Sequence, residues 1–241
     1  MRKIFAHRGA SGYAPENTLE AFELAAKQGA HGIELDVHLS ADGELVVTHD
    51  ETIQRVSDGS GHVKEMTVEQ LRRYNFAKGH PVYPMATIPT LREVFALVKP
   101  TQMEINIEIK NSVVDYPGIE QKCLALADEM GMSERILYSS FHHDSMARLK
   151  QMAPSARCGL LYVTMKNAWE VARRLNATAL HPHFSALRDP ELCRQAHALG
   201  LMVNVWTVDR ASDIEKAFLA GADIVITNYP DRGLSTLRAN A

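Results

Sequence analysis

The chain has 241 residues, 46% hydrophobic and 23% charged, which suits one sizeable α/β core better than two small ones. A formal net charge of −3 and the lack of any lysine/arginine block argue against nucleic acid or an anionic membrane as partner, and no 18-residue apolar run suggests a membrane span. What remains is a small-molecule partner and no stable membrane association. The few residues before His7 leave no room for a signal-peptide apolar region, which reads as a cytoplasmic protein. Cys123, Cys158 and Cys193 are odd in number, far apart and set in apolar patterns, so they are expected to be buried free thiols.

The first strand-like run, Ile4-Phe5-Ala6, ends in His7-Arg8-Gly9. His7 alone would read as a loop histidine, but Arg8 beside it supplies a planar donor suited to phosphate or carboxylate oxygens. Pro15-Glu16-Asn17-Thr18 then opens an amphipathic helix over 18–28, stopped by Gly29, with Asn17 expected as its cap. Glu16 is weighed evenly between the site and the surface.

Next, Gly32 to Leu39 alternates so that Glu34 and Asp36 share one strand face and Ile33, Leu35 and Val37 the other. An Asp42-Gly43 turn reverses the chain into Leu45–Asp50, and equal spacing from the turn centre makes Asp36 and His49 expected cross-strand neighbours. His38 has the parity of the site but is expected on the hairpin, beyond it. Residues 44–87 form an insertion with turn chemistry (Asp58-Gly59-Ser60-Gly61, Pro81, Pro84) and little regular pattern, a candidate lid.

A helix over 91–98 follows, then Ile105 to Lys110, whose three isoleucines face one side while Asn106, Glu108 and Lys110 face the other. Further helices are expected over 119–130 and 190–199, stopped by Gly131 and Gly200, and over 212–219, before Gly221, and further strands ending near Phe141, Val163, His183, Trp206 and Asn228. With those ending at His7, Asp36 and Lys110, this makes eight βα units, the normal content of a (β/α)8 TIM barrel, with residues 1–241 as one domain and a small insertion after the second strand. An open doubly wound sheet is the runner-up, but no Gly-x-Gly-x-x-Gly follows the first strand.

Barrel enzymes work at the carboxyl ends of their strands. Burying Glu108 unpaired inside a barrel would cost several kcal/mol, so it must meet a cation. Lys110 could be that cation, giving a buried Glu–Lys pair. The alternative is one divalent ion held by Glu34, Asp36 and Glu108, which accounts for all three carboxylates at once, and all-oxygen ligation selects Mg²⁺ or Ca²⁺. Arg8 and Lys110 then stand as cations beside it and imply a phosphate-like substrate. His7 and His49, with ordinary pKa values near 6.5, can divide the work of base and acid in cleaving a phosphodiester.

The segments His7-Arg8-Gly9, Pro15-Glu16-Asn17-Thr18, Glu34-Leu35-Asp36-Val37, Asp42-Gly43, His49-Asp50, Ile107-Glu108-Ile109-Lys110 and Thr227-Asn228-Tyr229-Pro230-Asp231 together resemble the glycerophosphodiester phosphodiesterases, end to end and in order. The resemblance implies a barrel hydrolase that splits glycerophosphodiesters into sn-glycerol 3-phosphate and an alcohol. It also implies Glu34, Asp36 and Glu108 on a Ca²⁺ or Mg²⁺ ion, His7 and His49 as the acid–base pair, and an insertion where the hairpin lies. Asn204 and Trp206 share the inward face of 202–206, and Trp206 could form an apolar wall for the glycerol or head group. His142, His143, His181 and His183 carry no assigned role.

Two other readings compete: a lipid-directed phospholipase D that releases a cyclic phosphate, and a noncatalytic phosphate sensor. Attack by water and attack by the substrate's own hydroxyl both suit these residues, as does assembly as a homodimer.

Overall fold

The structure is a computed structural model that describes residues 2–239. Eight parallel strands close on themselves: β1 (Lys3–His7), β2 (Gly32–Leu39), β4 (Glu104–Ile109), β5 (Ile136–Ser140), β6 (Arg157–Tyr162), β7 (Ala179–Pro182), β8 (Met202–Val205) and β9 (Ile224–Thr227). Pairing of β1 with both β9 and β2 completes the barrel, and the short β3 (Leu45–Val47) adds antiparallel to β2 outside it. The chain is therefore the expected barrel with its eight strands.

The two alternating strands behave as their period demands. Ile33, Leu35, Val37, Ile105, Ile107 and Ile109 are buried in the layer between barrel and helices. Their neighbours in sequence point into the barrel, whose interior beneath the strand ends is packed by Phe5, Ile224 and Ile226. Gly32 faces that plug, where a Cβ would fall 2.6 Å from the Phe5 ring.

The helices bury one stripe each against the outer strand face: α1 (Leu19–Gln28), α3 (Leu91–Val98), α4 (Ile119–Glu129), α5 (His143–Met152), α6 (Ala168–Arg174), α7 (Leu192–Ala198), α8 (Ala211–Leu219) and α9 (Pro230–Ala239), while α2 (Val68–Leu71) lies in the insertion. Gly29 ends α1 in the left-handed region at φ 82°, where a side chain would be strained. The cap of α1 is Thr18, whose hydroxyl accepts from Ala21 N, rather than Asn17. Asn17 sits at φ 57° and turns its amide toward β2.

Two further corrections concern the hairpin. The register pairs Val37 with Val47, and Thr48 N donates to Asp36 O at 3.1 Å, so Asp36 stands opposite Thr48 and not His49. The connection is the five-residue loop Ser40–Glu44, closed by Ser40 N to Glu44 O, which moves the turn centre by half a residue. Beyond it the insertion is better built than its composition suggests: besides α2 it has a 3₁₀ turn and a small apolar cluster of Val46, Ile53, Val63, Leu71, Phe76 and Ile88. All three cysteines are free and buried. Among the described residues no helix is long and apolar enough to cross a membrane.

Candidate active site

At the carboxyl ends of the strands lies a cavity of about 210 Å³ lined by His7, Arg8, Glu34, His49, Asn106 and Glu108 on one side and Phe141, Leu161, Trp206 and Ile226 on the other. The backbone at Arg8 (φ 53°) and Gly9 (φ 80°) is left-handed, a costly arrangement for arginine that belongs to sites where position matters. It aims Arg8 N–H at Glu34 Oε2, 3.0 Å away. Gly9 is held close against α1, where a Cβ would fall 2.6 Å from that of Ala21.

β2 and β4 are neighbours in register, with Glu34 beside Asn106 and Asp36 beside Glu108. Carboxylate oxygens of Glu34, Asp36 and Glu108 consequently all lie within 4.8 Å of one another. Lys110 Nζ donates to Glu108 Oε1 at 2.8 Å and stands 3.6 Å from Asp36 Oδ1, while Arg8 Nε is 3.4 Å from Asp36 Oδ2. Asp36 Oδ2 also accepts from Asn17 Nδ2 at 2.9 Å.

Three buried carboxylates thus face two cations. Burial, then the charges of Asp36 and Glu108, push Glu34 well above the usual carboxylate range; burial and Asp36 raise Glu108. Burial alone would raise Asp36 too, but Lys110, Arg8 and His49 outweigh it and hold Asp36 below its ordinary value. Asp36 Oδ1 has no hydrogen-bond partner although it is buried. An unpartnered oxygen in a carboxylate cluster short of positive charge fits a hard divalent cation. The buried Glu108–Lys110 pair exists as well, so the two readings of Glu108 coexist.

The two histidines flank this cluster and are oriented alike. His7 Nδ1 donates to Asn228 Oδ1 at 2.7 Å, and Asn228 is fixed by its Nδ2 and N–H to Asp209 at 2.7 and 2.9 Å. His49 Nδ1 lies 2.6 Å from Asp50 Oδ1. Each ring thereby keeps Nε2 free. Burial, then the Arg8 charge, lowers His7 to about 4, so its imidazole is neutral at pH 7. The carbonyl of His49 accepts from His38 Nε2 at 3.1 Å, and His38 Nδ1 in turn lies 3.1 Å from Tyr116 Oη. His38 is therefore fully buried behind His49.

Of the other expected residues, Trp206 lines the cavity, with its indole N–H donating to His181 O at 2.8 Å and Phe141 and His183 against its edges. Glu16 is off the cavity but grips Arg8, its Oε1 accepting from Nη1 at 2.9 Å. Asn204 is not at the site: its Nδ2 meets His181 Nε2 at 3.0 Å inside the barrel. Sequence reasoning assigned Asn17 only a capping role and assigned none to His38, Asp50, Asn106, Asp209 or Asn228. Asp50 and Asn228 lay in motifs that could have flagged them; Asp209 had no local signal.

His181 is fully buried with Nδ1 unpartnered, and burial lowers it to about 3. The unfolded chain, with an ordinary histidine near 6.5, binds the extra proton, so this group costs stability as pH falls from about 6.5 toward 3. Relative to His181→Leu, the protein is expected to lose about 1.4 kcal/mol per pH unit below pH 6. Urea melts at pH 7, 5.5 and 4.5 check this; a constant gap between the two proteins would refute it.

Comparison with known proteins places this geometry. The sequence matches the glycerophosphoryl diester phosphodiesterase family over residues 7–232. It is 42% identical over 237 residues, covering 98% of this chain and 97% of the relative, to a glycerophosphodiester phosphodiesterase of Caldanaerobacter subterraneus subsp. tengcongensis, and 38% identical to one of Bacillus altitudinis, covering 97% of each chain. Among solved structures, an Oleispira antarctica phosphodiesterase in complex with the product sn-glycerol-3-phosphate is 31% identical with a TM-score of 0.87, covering 99% of this chain and 97% of that one. The chain belongs to the glycerophosphoryl diester phosphodiesterase family.

Proposed function

We propose that this protein hydrolyses glycerophosphodiesters to sn-glycerol 3-phosphate and an alcohol, with residues 1–241 as one catalytic barrel domain and residues 44–87 as its insertion. The observation that carries this is the pairing of two imidazoles, each with Nδ1 engaged and Nε2 free, on one cavity around a three-carboxylate cluster. The product named for the Oleispira antarctica structure supports the substrate class.

Glu34, Asp36 and Glu108 would hold one Mg²⁺ or Ca²⁺ ion. When bound, it supplies neutralisation of charge on the non-bridging phosphoryl oxygens. Arg8 and Lys110 orient the phosphodiester by charge and hydrogen bonding. His7, neutral at pH 7, takes the proton of the attacking oxygen as its bond to phosphorus forms. His49 gives a proton to the alkoxide as the opposite P–O bond breaks, each transfer worth roughly 10²- to 10⁴-fold. Phe141, Leu161, Trp206 and Ile226 give the apolar side of the cavity to carbon atoms of the glycerol or head group. The buried free cysteines support a cytoplasmic place of action.

The test is incubation with glycerophosphocholine, glycerophosphoethanolamine and glycerophosphoglycerol, with each metal, followed by enzymatic detection of glycerol 3-phosphate and phosphorus NMR. Release of glycerol 3-phosphate that stops with chelator is expected. A cyclic phosphate as the final product would favour the phospholipase D reading, and metal-enhanced binding without turnover the sensor.

A further inference from the structure

Arg55 belongs to the insertion and makes four hydrogen bonds across the rim of the barrel. Its Nε and Nη2 donate to Asp50 Oδ2 and Oδ1 at 2.6 and 3.2 Å; its Nη1 and Nη2 donate to Glu16 Oε2 and Oε1, both at 2.8 Å. Both carboxylates have a second engagement. Glu16 accepts from Arg8 and Asp50 meets the His49 ring, so the order Arg8, Glu16, Arg55, Asp50, His49 is one continuous chain of charge-assisted hydrogen bonds.

Most exposed ion pairs contribute little, because the side chains gain nothing by staying in one place. A planar guanidinium shared by two carboxylates differs, since only one arrangement satisfies all its donors. The insertion offers its own contrast: Arg73 pairs with Glu69 one turn away on an exposed surface, and that pair leads to no group of the site. Arg55 instead joins the carboxylate that holds a phosphate-side cation to the one that holds an acid–base ring.

We propose that Arg55 is a positioning residue of the hydrolysis: by clamping Asp50 against Glu16 it sets the His49 ring with Nε2 toward the cavity and holds Arg8 beside the carboxylate cluster. The insertion then completes the catalytic site as well as bordering it. This rests on the acid–base reading of His49 given above.

The experiment compares Arg55→Ala, Arg55→Gln, Arg55→Lys and, as control, Arg73→Ala in the full chain, checking melting temperature first. Loss of ring orientation is expected to lower kcat about 10- to 100-fold in Arg55→Ala and Arg55→Gln, with KM changing less than about fivefold. Lysine, which cannot fork onto both carboxylates, should be intermediate; Arg73→Ala should match the parent. Guanidinium ion at millimolar concentration should restore part of kcat in Arg55→Ala and none in Asp50→Asn, a response that a merely structural ion pair would not give. Independently of activity, nitrogen NMR of the His49 ring should show an Nδ1–H held in a hydrogen bond to Asp50 in the parent and exchanging with solvent in Arg55→Ala. Unchanged kcat in both Arg55→Ala and Arg55→Gln, or an unchanged His49 ring signal, would overturn the proposal. An inactive parent that still shows the ring change would uphold the clamp and remove the catalytic reading instead.

Discussion

Replacing His7 with alanine is expected to lower kcat by about 10²- to 10⁴-fold while leaving the fold intact. Its ring reaches into the cavity and touches the rest of the protein through Asn228 Oδ1, so its loss removes a proton acceptor and little packing. KM should move much less, because Arg8 and Lys110 hold the substrate's charge and remain in place. The pH dependence follows from the environment of the ring. Burial and Arg8 keep His7 deprotonated down to about 4 in the free enzyme, so the acid limb of kcat/KM should fall below the ordinary histidine value of about 6.5. Steady-state rates of the parent and His7→Ala between pH 4 and 9 check both points. A variant retaining a tenth of the parent rate, or an acid limb centred at 6.5, would rule out His7 as the base.

The second large effect concerns the carboxylate cluster. Adding Mg²⁺ or Ca²⁺ to chelator-treated protein is expected to raise its melting temperature, by the equivalent of about 2.7 kcal/mol when the free ion is a hundredfold above its Kd. Glu34 and Glu108 are pushed up by burial and by neighbouring carboxylates, so protons compete with the ion and the stabilisation should shrink as pH falls toward their raised values. Asp36→Asn keeps the shape and removes the charge that faces Arg8 and Lys110. It is expected to abolish both the metal-induced shift and turnover. Differential scanning calorimetry with each ion provides the measurement; an equal shift in Asp36→Asn, or no shift with either ion in the parent, would dissolve the metal assignment.

Legibility of the site in the sequence differs residue by residue. Asn106 and Glu108 were assignable to the barrel interior because strict alternation has only one interpretation in a closed sheet. The hairpin was less secure. A two-residue turn and the five-residue loop Ser40–Glu44 differ by one register step, and backbone contacts such as Ser40 N to Glu44 O distinguish them. His49 nonetheless reaches the cavity, because the last pairing bond is Thr48 N to Asp36 O and the chain bends at His49. Asn17 illustrates the opposite failure: local propensity favoured a cap, while the charge of Asp36, 19 residues away, claimed the amide. Asn204 shared the inward parity but lies deeper, where His181 takes it up.

Periodicity, glycine stops and the order of chemical side chains were sufficient to specify an eight-stranded barrel and the residues gathered at its mouth, since both depend on spacings of a few residues. The tertiary structure alone decided how those residues are held: Asn228 and Asp209 behind His7, His38 and Tyr116 behind His49, Arg55 between Glu16 and Asp50. Hydrogen bonds between distant segments leave no period in the chain. They come into being only when closure of the sheet brings its two ends, and the insertion, to the same rim.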